Sequence, residues 1–225
     1  MEVEQLRGID ISPAALATIA AYRYEVFIES LGWQLPCAPG RELDEFDVPG
    51  ATHLVVTGER GIVGYARLLP TTGEYLLETH FPFLFNGATP PKSPRVLELS
   101  RFAAGALASS EVGAEADGLL RTSAGKLVLL EAIHCAMSRG ADHIVFCTTV
   151  AIERLAKRWG VDIRRIGPPV RSHGQLLVAA TIVCNSKSVS ALLTNEMPSP
   201  LPCEAAWALG APAAALHAVA MPAAA

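Results

Sequence analysis

The sequence lacks the features of a membrane, secreted or nucleic-acid-binding protein. No apolar run reaches the roughly eighteen residues that a membrane helix needs. The first ten residues, MEVEQLRGID, are acidic and contain no basic segment followed by an apolar one, so we expect no secretory signal. The net charge of −4 argues against general nucleic-acid binding. These absences predict a cytoplasmic protein with no membrane span and no nucleic-acid partner.

Cysteine is also sparse, and its spacing excludes two further classes of protein. The five cysteines are odd in number, widely separated and contain no C-x-x-C pair. Neither a zinc site nor a disulfide framework is therefore expected. We expect reduced, mostly buried thiols, no metal and no cofactor.

The chain has enough apolar residues for a sizeable core. Hydrophobic residues make up 51% of the chain and charged residues only 18%. A length of 225 residues fits one domain with a tail. We expect the domain to span residues 1–195. The tail, residues 196–225, is rich in alanine and proline, and we assign no chemistry to it.

Hydrophobic spacing and turn residues predict an alternation of helices and strands. Ser12-Pro13 is a typical helix start, and Gly32 a typical stop, for a helix over 13–31. Residues 78–94 contain four prolines and predict an irregular loop. The remaining predicted elements are strands at 53–57, 62–69, 95–102, 143–149 and 175–183, and helices within 113–140 and at 150–159 and 185–194. This order predicts a single α/β domain, a mixed sheet with helices on its faces.

The first candidate site residues are a cation and two aromatics near the first helix. Arg23 and Phe27 are four residues apart, hence on one helical face, and Trp33 follows the helix. Such a trio suits a cationic or planar ligand, because ring faces attract positive charge. Core packing with Arg23 in a salt bridge explains the same residues, so both interpretations remain open.

Two further groups of charged residues follow along the chain. Asp44 and Asp47 lie in a loop where their carboxylates can converge on an amine or hold arginines. Arg67 belongs to the predicted hairpin, and Glu98 and Arg101 to the next strand. Glu98 is a candidate general base. Because positions 98 and 101 differ by an odd number, a regular strand points them to opposite faces, and only a bulge brings both into one site.

Basic residues accumulate later in the chain. Arg154, Lys157 and Arg158 are followed by further arginines up to Arg171, with few acidic residues between them. This excess of positive charge suits an acidic partner. On spacing alone, an ordinary solvated helix face is the simpler explanation.

Read together, the charged and aromatic residues form an ordered set of motifs. They are RYEVF at 23–27, Trp33, ELDEFD at 42–47, ARLLPTT at 66–72 and ELSRF at 98–102. This set resembles the autoinducer synthases, which make N-acyl-L-homoserine lactones in bacterial quorum sensing. A weaker similarity continues through residues 144–160 and 166–168. Eight positions typical of that family are present: Arg23, Phe27, Trp33, Asp44, Asp47, Arg67, Glu98 and Arg101.

The resemblance implies a fold and a reaction. The fold is a mixed, splayed sheet flanked by helices, an N-acetyltransferase-like three-layer sandwich. The reaction takes an acyl group from acyl carrier protein, or in some members from acyl-CoA. The acyl group is joined to the amine of S-adenosylmethionine, a substrate and not a cofactor. The products are the acyl lactone, methylthioadenosine and the free carrier.

Roles for individual residues follow from this reaction. Glu98 is expected to be the base, with Ser100 and Arg101 beside it in the catalytic segment and backbone N–H groups of residues 100–102 at the oxyanion. Either Arg23 or Arg101 is expected to hold the substrate carboxylate. The remaining expected contacts to S-adenosylmethionine are Phe27, Trp33, Asp44, Asp47, Arg67 and Phe102.

The family further implies an acyl pocket and a docking surface. Thr148 and Thr149 on the predicted central strand are candidates for bordering the acyl group, although threonine is also simply a good strand residue. Arg154, Lys157 and Arg158 are the candidates for docking an acidic carrier protein.

Two other functions remain open at this stage. One is a CoA-dependent N-acyltransferase of the N-acetyltransferase fold that acts on another amine. The glycine-containing segment RFAAGA at 101–106 is one residue out of step with the pyrophosphate loop of that class. The other is a binding module for fatty ligands, which needs an apolar cavity but no base at Glu98.

Overall fold

The structure is a computed structural model that describes residues 1–104, 123–172 and 174–194, and in these residues eight strands form one mixed sheet. The order across the sheet is β1-β2-β3-β4-β5-β8-β6, with β7 paired to β8. Only the β4–β5 pair is parallel among the described strands. The strands are β1 (Glu2–Arg7), β2 (Thr52–Gly58), β3 (Gly61–Pro70), β4 (Val96–Ala104), β5 (His143–Thr149), β6 (Ile163–Arg165), β7 (Val170–Ser172) and β8 (Gln175–Val183).

Helices cover both faces of this sheet. On one face α3, α4 and α5 share a hydrophobic cluster with the strands. On the other face α1 and α2 pack over two smaller clusters. The predicted sandwich of three layers is therefore confirmed. The helices are α1 (Pro13–Arg23), which continues as a π-helix (Tyr24–Ser30), α2 (Leu76–His80), a 3₁₀ turn (Pro82–Phe85), α3 (Ser123–Ser138), α4 (Val150–Arg158) and α5 (Ser186–Leu193).

Alternation along the strands distributes apolar side chains between the two faces. On β2, Leu54 and Val56 belong to the cluster under α3, whereas Val55 belongs to the cluster under α1. Because consecutive strand residues point to opposite faces, a strand covered on both faces is apolar throughout. This is why the inner strands appear in the sequence as short continuous apolar runs.

The sheet opens between its two parallel strands. β4 and β5 are paired only where Val96 to Glu98 lie beside His143 to Val145. Both strands continue beyond this point, β4 to Ala104 and β5 to Thr149. They therefore separate after Glu98, and the splayed sheet implied by the family resemblance is confirmed.

The first helix begins and ends where its capping residues predict. The Ser12 hydroxyl accepts a hydrogen bond from the Ala15 amide at 3.1 Å, and Gly32 follows the helix with φ of +68°, a conformation that favours glycine. The C-terminal part of this helix, Tyr24–Ser30, is a π-helix and not the predicted α-helix. Its π-helical turns include a hydrogen bond from the Leu31 amide to the Val26 carbonyl at 2.9 Å.

Short elements are the main difference from the predicted order. The prediction of an irregular loop over 78–94 was wrong in part, because α2 and the 3₁₀ turn cover much of its first half. Strands β1, β6 and β7 were also missed. Elements of three to six residues carry too little periodicity to be recognised.

Several predictions concern residues outside the described ones. The part of the predicted helix at 113–122 and the proposed tail at 196–225 both lie outside them. Within the described ranges, every helix is too short or too polar to cross a bilayer.

Gly64 on β3 lets α3 lie directly against the sheet. A Cβ atom at this position would stand 2.7 Å from Val128 Cγ2. We expect Gly64→Ala to lower the free energy of unfolding by about 1–3 kcal/mol through overpacking. In the double variant with Val128→Ala the added methyl group has room, so the loss should be smaller than the sum of the single losses. Urea unfolding measures all three variants, and strictly additive losses would contradict this contact.

Candidate active site

A bulge on β4 brings Glu98 and Arg101 to the same face of the sheet. Tyr65 of β3 lies opposite Ala103, but Arg67, two residues on, lies opposite Ser100. Three steps on β4 thus match two on β3. Arg101 carries the irregularity, with φ of +52°, which is uncommon for a residue other than glycine. The bulge that the sequence required is confirmed.

Alternation resumes after the bulge, and this separates Phe102 from the other candidates. Phe102 is partly buried against the cluster on the α3 face. Glu98, Ser100 and Arg101 line a cavity on the opposite face. A bulge absorbs one residue only, so the next side chain points to the other side. The expected contact of Phe102 with substrate has no support from its position.

Arg23 lies at the centre of a buried ion network. Its side chain is fully buried. Nε lies 2.5 Å from Glu42 Oε2, and Nη1 lies 2.7 Å from Asp47 Oδ1. The remaining nitrogen, Nη2, is 3.7 Å from Asp44 Oδ2. The salt-bridge interpretation of Arg23 is therefore the one that the geometry supports.

Arg67 on β3 is a second arginine of this network. Its Nη1 lies 2.5 Å from Asp44 Oδ1 and 2.8 Å from Asp47 Oδ1, and Nη2 donates to Asp44 Oδ2 at 3.0 Å. Nε donates to the Ser100 hydroxyl at 3.2 Å. Arg67 is also fully buried, so its donors are used inside the protein.

Arg101 closes the network and reaches the cavity. Its Nη2 lies 3.0 Å from Glu42 Oε1 and 2.7 Å from Asp44 Oδ2, while 9% of its side chain stays exposed. Its Cζ is 5.8 Å from the centroid of the Phe27 ring, a cation–π distance. Arg101 is thus the arginine of the network that a substrate can contact.

Glu42 was missed as a site residue by the sequence analysis. Its carboxylate is buried and bridges Arg23 and Arg101. With Glu42 included, three arginines face three carboxylates, so the network is neutral. The sequence signal for Glu42 was its position at the start of the acidic motif at 42–47. Three more acidic residues follow in this motif, and their spacing does not show which of the four side chains are buried in the site.

The network keeps its aspartates ionised. Burial by itself raises the pKa of Asp44, but the hydrogen bond and charge of Arg67, with the charges of Arg101 and Arg23, bring this pKa well below its usual range. For Asp47 the effect of burial is likewise outweighed by Arg23 and Arg67. Both carboxylates therefore carry charge at neutral pH and hold the guanidinium groups in place.

Glu98 has a different environment, at the point where the sheet opens. It is 1% exposed, and its carboxylate accepts hydrogen bonds from the amides of Leu77 at 2.5 Å and Leu76 at 3.1 Å. Burial raises the pKa of Glu98 to about 7, against the opposing effects of these two amides and of Arg67. Glu98 can therefore take up or release a proton near neutrality, as a general base must.

The cavity beside Glu98 has an aromatic wall. It encloses about 180 Å³. Trp33 lines it, and the Trp33 ring stacks on Phe27 with centroids 4.7 Å apart. Phe27 is almost wholly buried behind Trp33. Of the two aromatics, Trp33 is the one that offers a ring to a ligand.

The other walls of the cavity combine acidic and apolar residues. His80 Nε2 lies 2.9 Å from Glu45 Oε1 and joins α2 to the loop of residues 42–47. Within the described residues no cluster of histidine, cysteine and carboxylate side chains is arranged to hold a metal ion. The lining includes Asp44, Phe46, Leu76, Phe81, Ser100 and Cys147.

Cys147, rather than either threonine, reaches the cavity from β5. Burial, and then the charge of Glu98, raise the pKa of Cys147 to about 12, so its thiol remains protonated. Thr149 instead caps α4, its hydroxyl accepting from the Ile152 amide at 3.3 Å. Thr148 and Thr149 are not among the described residues that line the cavity.

The basic cluster is partly neutralised within the fold. Lys157 Nζ lies 2.5 Å from Glu153 Oε1, and Arg165 Nη2 lies 2.5 Å from Glu153 Oε2. The Glu153 carboxylate is buried. Its pair with Lys157 lies within α4, and its pair with Arg165 joins α4 to β6. Arg154, on the same helix, is exposed to solvent.

Comparison with known structures finds a similar fold in a solved N-acyltransferase. The crystal structure of an acyl-CoA N-acyltransferase from Pseudomonas aeruginosa matches with a TM-score of 0.53 at 15% identity, over 80% of this chain and 99% of that chain. At this identity the likeness concerns the fold alone. It agrees with the N-acetyltransferase-like sandwich expected from the motifs.

Matches at higher sequence identity identify the family. The family model described as autoinducer synthase matches residues 10–192. An acyl-homoserine-lactone synthase of Pseudomonas aeruginosa is 38% identical over 78% of this chain and 82% of its own length. Another, from Ralstonia nicotianae, is 41% identical over 82% and 90%. The crystal structure of TofI in a ternary complex with an inhibitor and MTA has a TM-score of 0.73 and 34% identity, over 85% and 96%. The chain therefore belongs to the autoinducer synthase family, the acyl-homoserine-lactone synthases of bacterial quorum sensing.

Proposed function

We propose that this chain acylates the amine of S-adenosylmethionine from the thioester of an acyl carrier protein and then closes the homoserine lactone. The observation that carries the proposal is the position of Glu98, a buried carboxylate with a pKa of about 7, beside a cavity with an aromatic and cationic wall. The complex of TofI with MTA supports a methylthioadenosine-sized ligand for this cavity.

The acyl transfer begins with removal of a proton from the substrate ammonium. Glu98 accepts this proton, directly or through a water molecule, and the neutral amine attacks the thioester carbon. A C–N bond forms and the carbonyl oxygen becomes an oxyanion. We assign backbone N–H groups at the bulge, Ser100 to Phe102, to the stabilisation of this oxyanion. The C–S bond then breaks, and the leaving thiolate takes the second proton of the amine.

The lactonisation needs no further base. An oxygen of the substrate carboxylate attacks the γ-carbon, a C–O bond forms, and the bond from that carbon to the sulfonium sulfur breaks. Methylthioadenosine leaves as a neutral thioether. The protein contributes by holding the carboxylate folded towards the γ-carbon, which is an orientation effect.

Burial distinguishes the roles of the three arginines. Arg23 and Arg67 are fully buried and pair with carboxylates inside the network, so we assign them as braces. Arg101 reaches the cavity, and we assign it to the substrate carboxylate. The Trp33 ring is assigned to the adenosine and the sulfonium, for which an aromatic face is attractive.

The acyl group requires an apolar wall near Glu98. Leu76, Phe81 and Cys147 are apolar residues that line the cavity together with Glu98. We place the first carbons of the acyl chain against these residues. The family match favours this reaction over the transfer of an acyl group from CoA to another amine, which leaves the network and Trp33 without a role.

Removing the carboxylate of Glu98 tests the base directly. We expect Glu98→Gln to lower kcat for lactone formation by a factor of about 10²–10⁴, the usual contribution of a general base. The matched control is Glu74→Gln, which changes an exposed carboxylate near α2. Product formation is followed by mass spectrometry and folding by circular dichroism. Near-normal lactone production by a folded Glu98→Gln variant would remove Glu98 from the mechanism.

The pH dependence of the rate provides a second test. A base works in its ionised form, so kcat/KM should rise with pH through the pKa of Glu98, about 7, and level off above it. The low residual rate of Glu98→Gln should lack this acid limb. Initial rates from pH 5.5 to 9 measure both. A limb that persists unchanged in the variant would assign the titration to another group.

Charge reversal on α4 tests the docking of the carrier. Arg154→Glu should raise the KM for acyl carrier protein several-fold at low salt and less at high salt, because salt screens exposed charges. The KM for S-adenosylmethionine should not change. Arg154 is a cleaner probe than Lys157, whose reversal also breaks the pair with buried Glu153.

The matched control for this experiment is Arg60→Glu, an exposed arginine in the turn between β2 and β3. Rates with acyl-CoA, measured in parallel, show which donor the enzyme uses. If Arg154→Glu and Arg60→Glu have the same KM for the carrier at low salt, α4 is an ordinary solvated helix.

A further inference from the structure

Tyr75, the residue before α2, connects the start of this helix to the segment around Pro91. The ring is fully buried in the cluster on that face of the sheet. Its hydroxyl donates to the Pro91 carbonyl at 3.0 Å. Burial raises the pKa of Tyr75 far above its usual value, so this hydroxyl stays protonated and remains a donor across the working range of the enzyme.

Lys92 holds the same turn from its outer side. Its Nζ lies 5.1 Å from the centroid of the Tyr75 ring. It donates to the Gly73 carbonyl at 2.7 Å and forms an ion pair with Glu78. Gly73 precedes α2 and Glu78 lies within it, so Lys92 spans the first turn of the helix.

Glu98 depends on this turn for its hydrogen bonds. The donors to its carboxylate are the amides of Leu76 and Leu77, the two residues after Tyr75. No side chain within the helix caps α2, so the Glu98 carboxylate occupies the place of a cap. A helix of five residues cannot hold its own direction in water, and contacts outside the helix must therefore orient these amides.

We propose that Tyr75 and Lys92 form a tether that holds the first turn of α2 on the Glu98 carboxylate, which makes both of them positioning residues for the acyl transfer. The link to catalysis rests on the proposed role of Glu98 as base. The tether itself rests on contacts that are independent of that role.

The charged and titratable groups that face Glu98 come from several elements. Arg67 on β3 lowers its pKa and Asp44 in the loop raises it. Cys147 on β5 and Tyr75 itself are neutral neighbours, since their own pKa values are raised. Tyr75→Phe leaves every one of these charges in place. A change in the titration of Glu98 in that variant therefore reports on the two amides.

The variant Tyr75→Phe removes only the hydroxyl of the tether. When the amides loosen, the charged form of Glu98 is less stabilised, and the acid limb should move up by about one pH unit. At pH 7 the rate should fall about fivefold, as the ionised fraction drops from about a half to about a tenth. Above pH 9 the variant should approach the rate of the wild type. Lys92→Met should shift the limb in the same direction and keeps the aliphatic stem over the ring.

The matched control is Tyr22→Phe. It also removes a buried tyrosine hydroxyl, one that has no hydrogen-bond partner among the described residues, and it lies on α1. We expect its acid limb to coincide with that of the wild type. A shift of the same size in Tyr22→Phe would mean that the limb reports general loosening, and would overturn the tether.

A direct titration separates the tether from the proposed function. The carboxyl carbon of Glu98 is followed by NMR in protein labelled at glutamate, with the resonance assigned by its loss in Glu98→Gln. The expected result is a higher pKa of Glu98 in Tyr75→Phe, together with the shifted limb. An unchanged pKa of Glu98 overturns the tether, whatever the rate does. A raised pKa without a shifted limb supports the tether and overturns Glu98 as base.

Discussion

The neutral cluster of three guanidinium groups and three carboxylates organises the site. Its members come from α1, the loop of residues 42–47, β3 and β4, so the same ion pairs that satisfy the charges also fix four segments relative to one another. Removing one partner from such a buried group leaves an uncompensated charge and costs about 3–5 kcal/mol. The position of Arg101 at the cavity depends on Glu42 and Asp44 for this reason.

Two departures from regular sheet geometry make room for a substrate. The early end of the β4–β5 pairing opens the sheet after Glu98. The bulge at Arg101 then turns one extra side chain towards the opening. Neither departure alone suffices, because a splay without the bulge would leave Arg101 on the α3 face, and a bulge in a closed sheet would direct it into packed side chains.

Glu98 shows how a fold adjusts one carboxylate for proton transfer. Burial alone makes the ionised form costly, whereas the amides of Leu76 and Leu77 and the charge of Arg67 restore part of its stability. The balance lies near neutrality. Asp44, only partly exposed and in direct contact with arginine, remains fully ionised. Two acidic residues in one site thus behave differently, because one is paired with cations and the other with backbone dipoles.

The sequence by itself determined the order of the long elements, the apolar character of the inner strands and the family, because capping residues, apolar runs and ordered motifs are local in the chain. It also predicted that Glu98 and Arg101 meet only through a bulge. Tertiary structure alone decided that Phe102 faces away, that Cys147 lines the cavity in place of the two threonines, and that Glu42 joins the network. It also decided that α2 exists, since this short helix receives its cap from Glu98, some twenty residues away. Strand pairing and long-range capping depend on partners that no local pattern specifies.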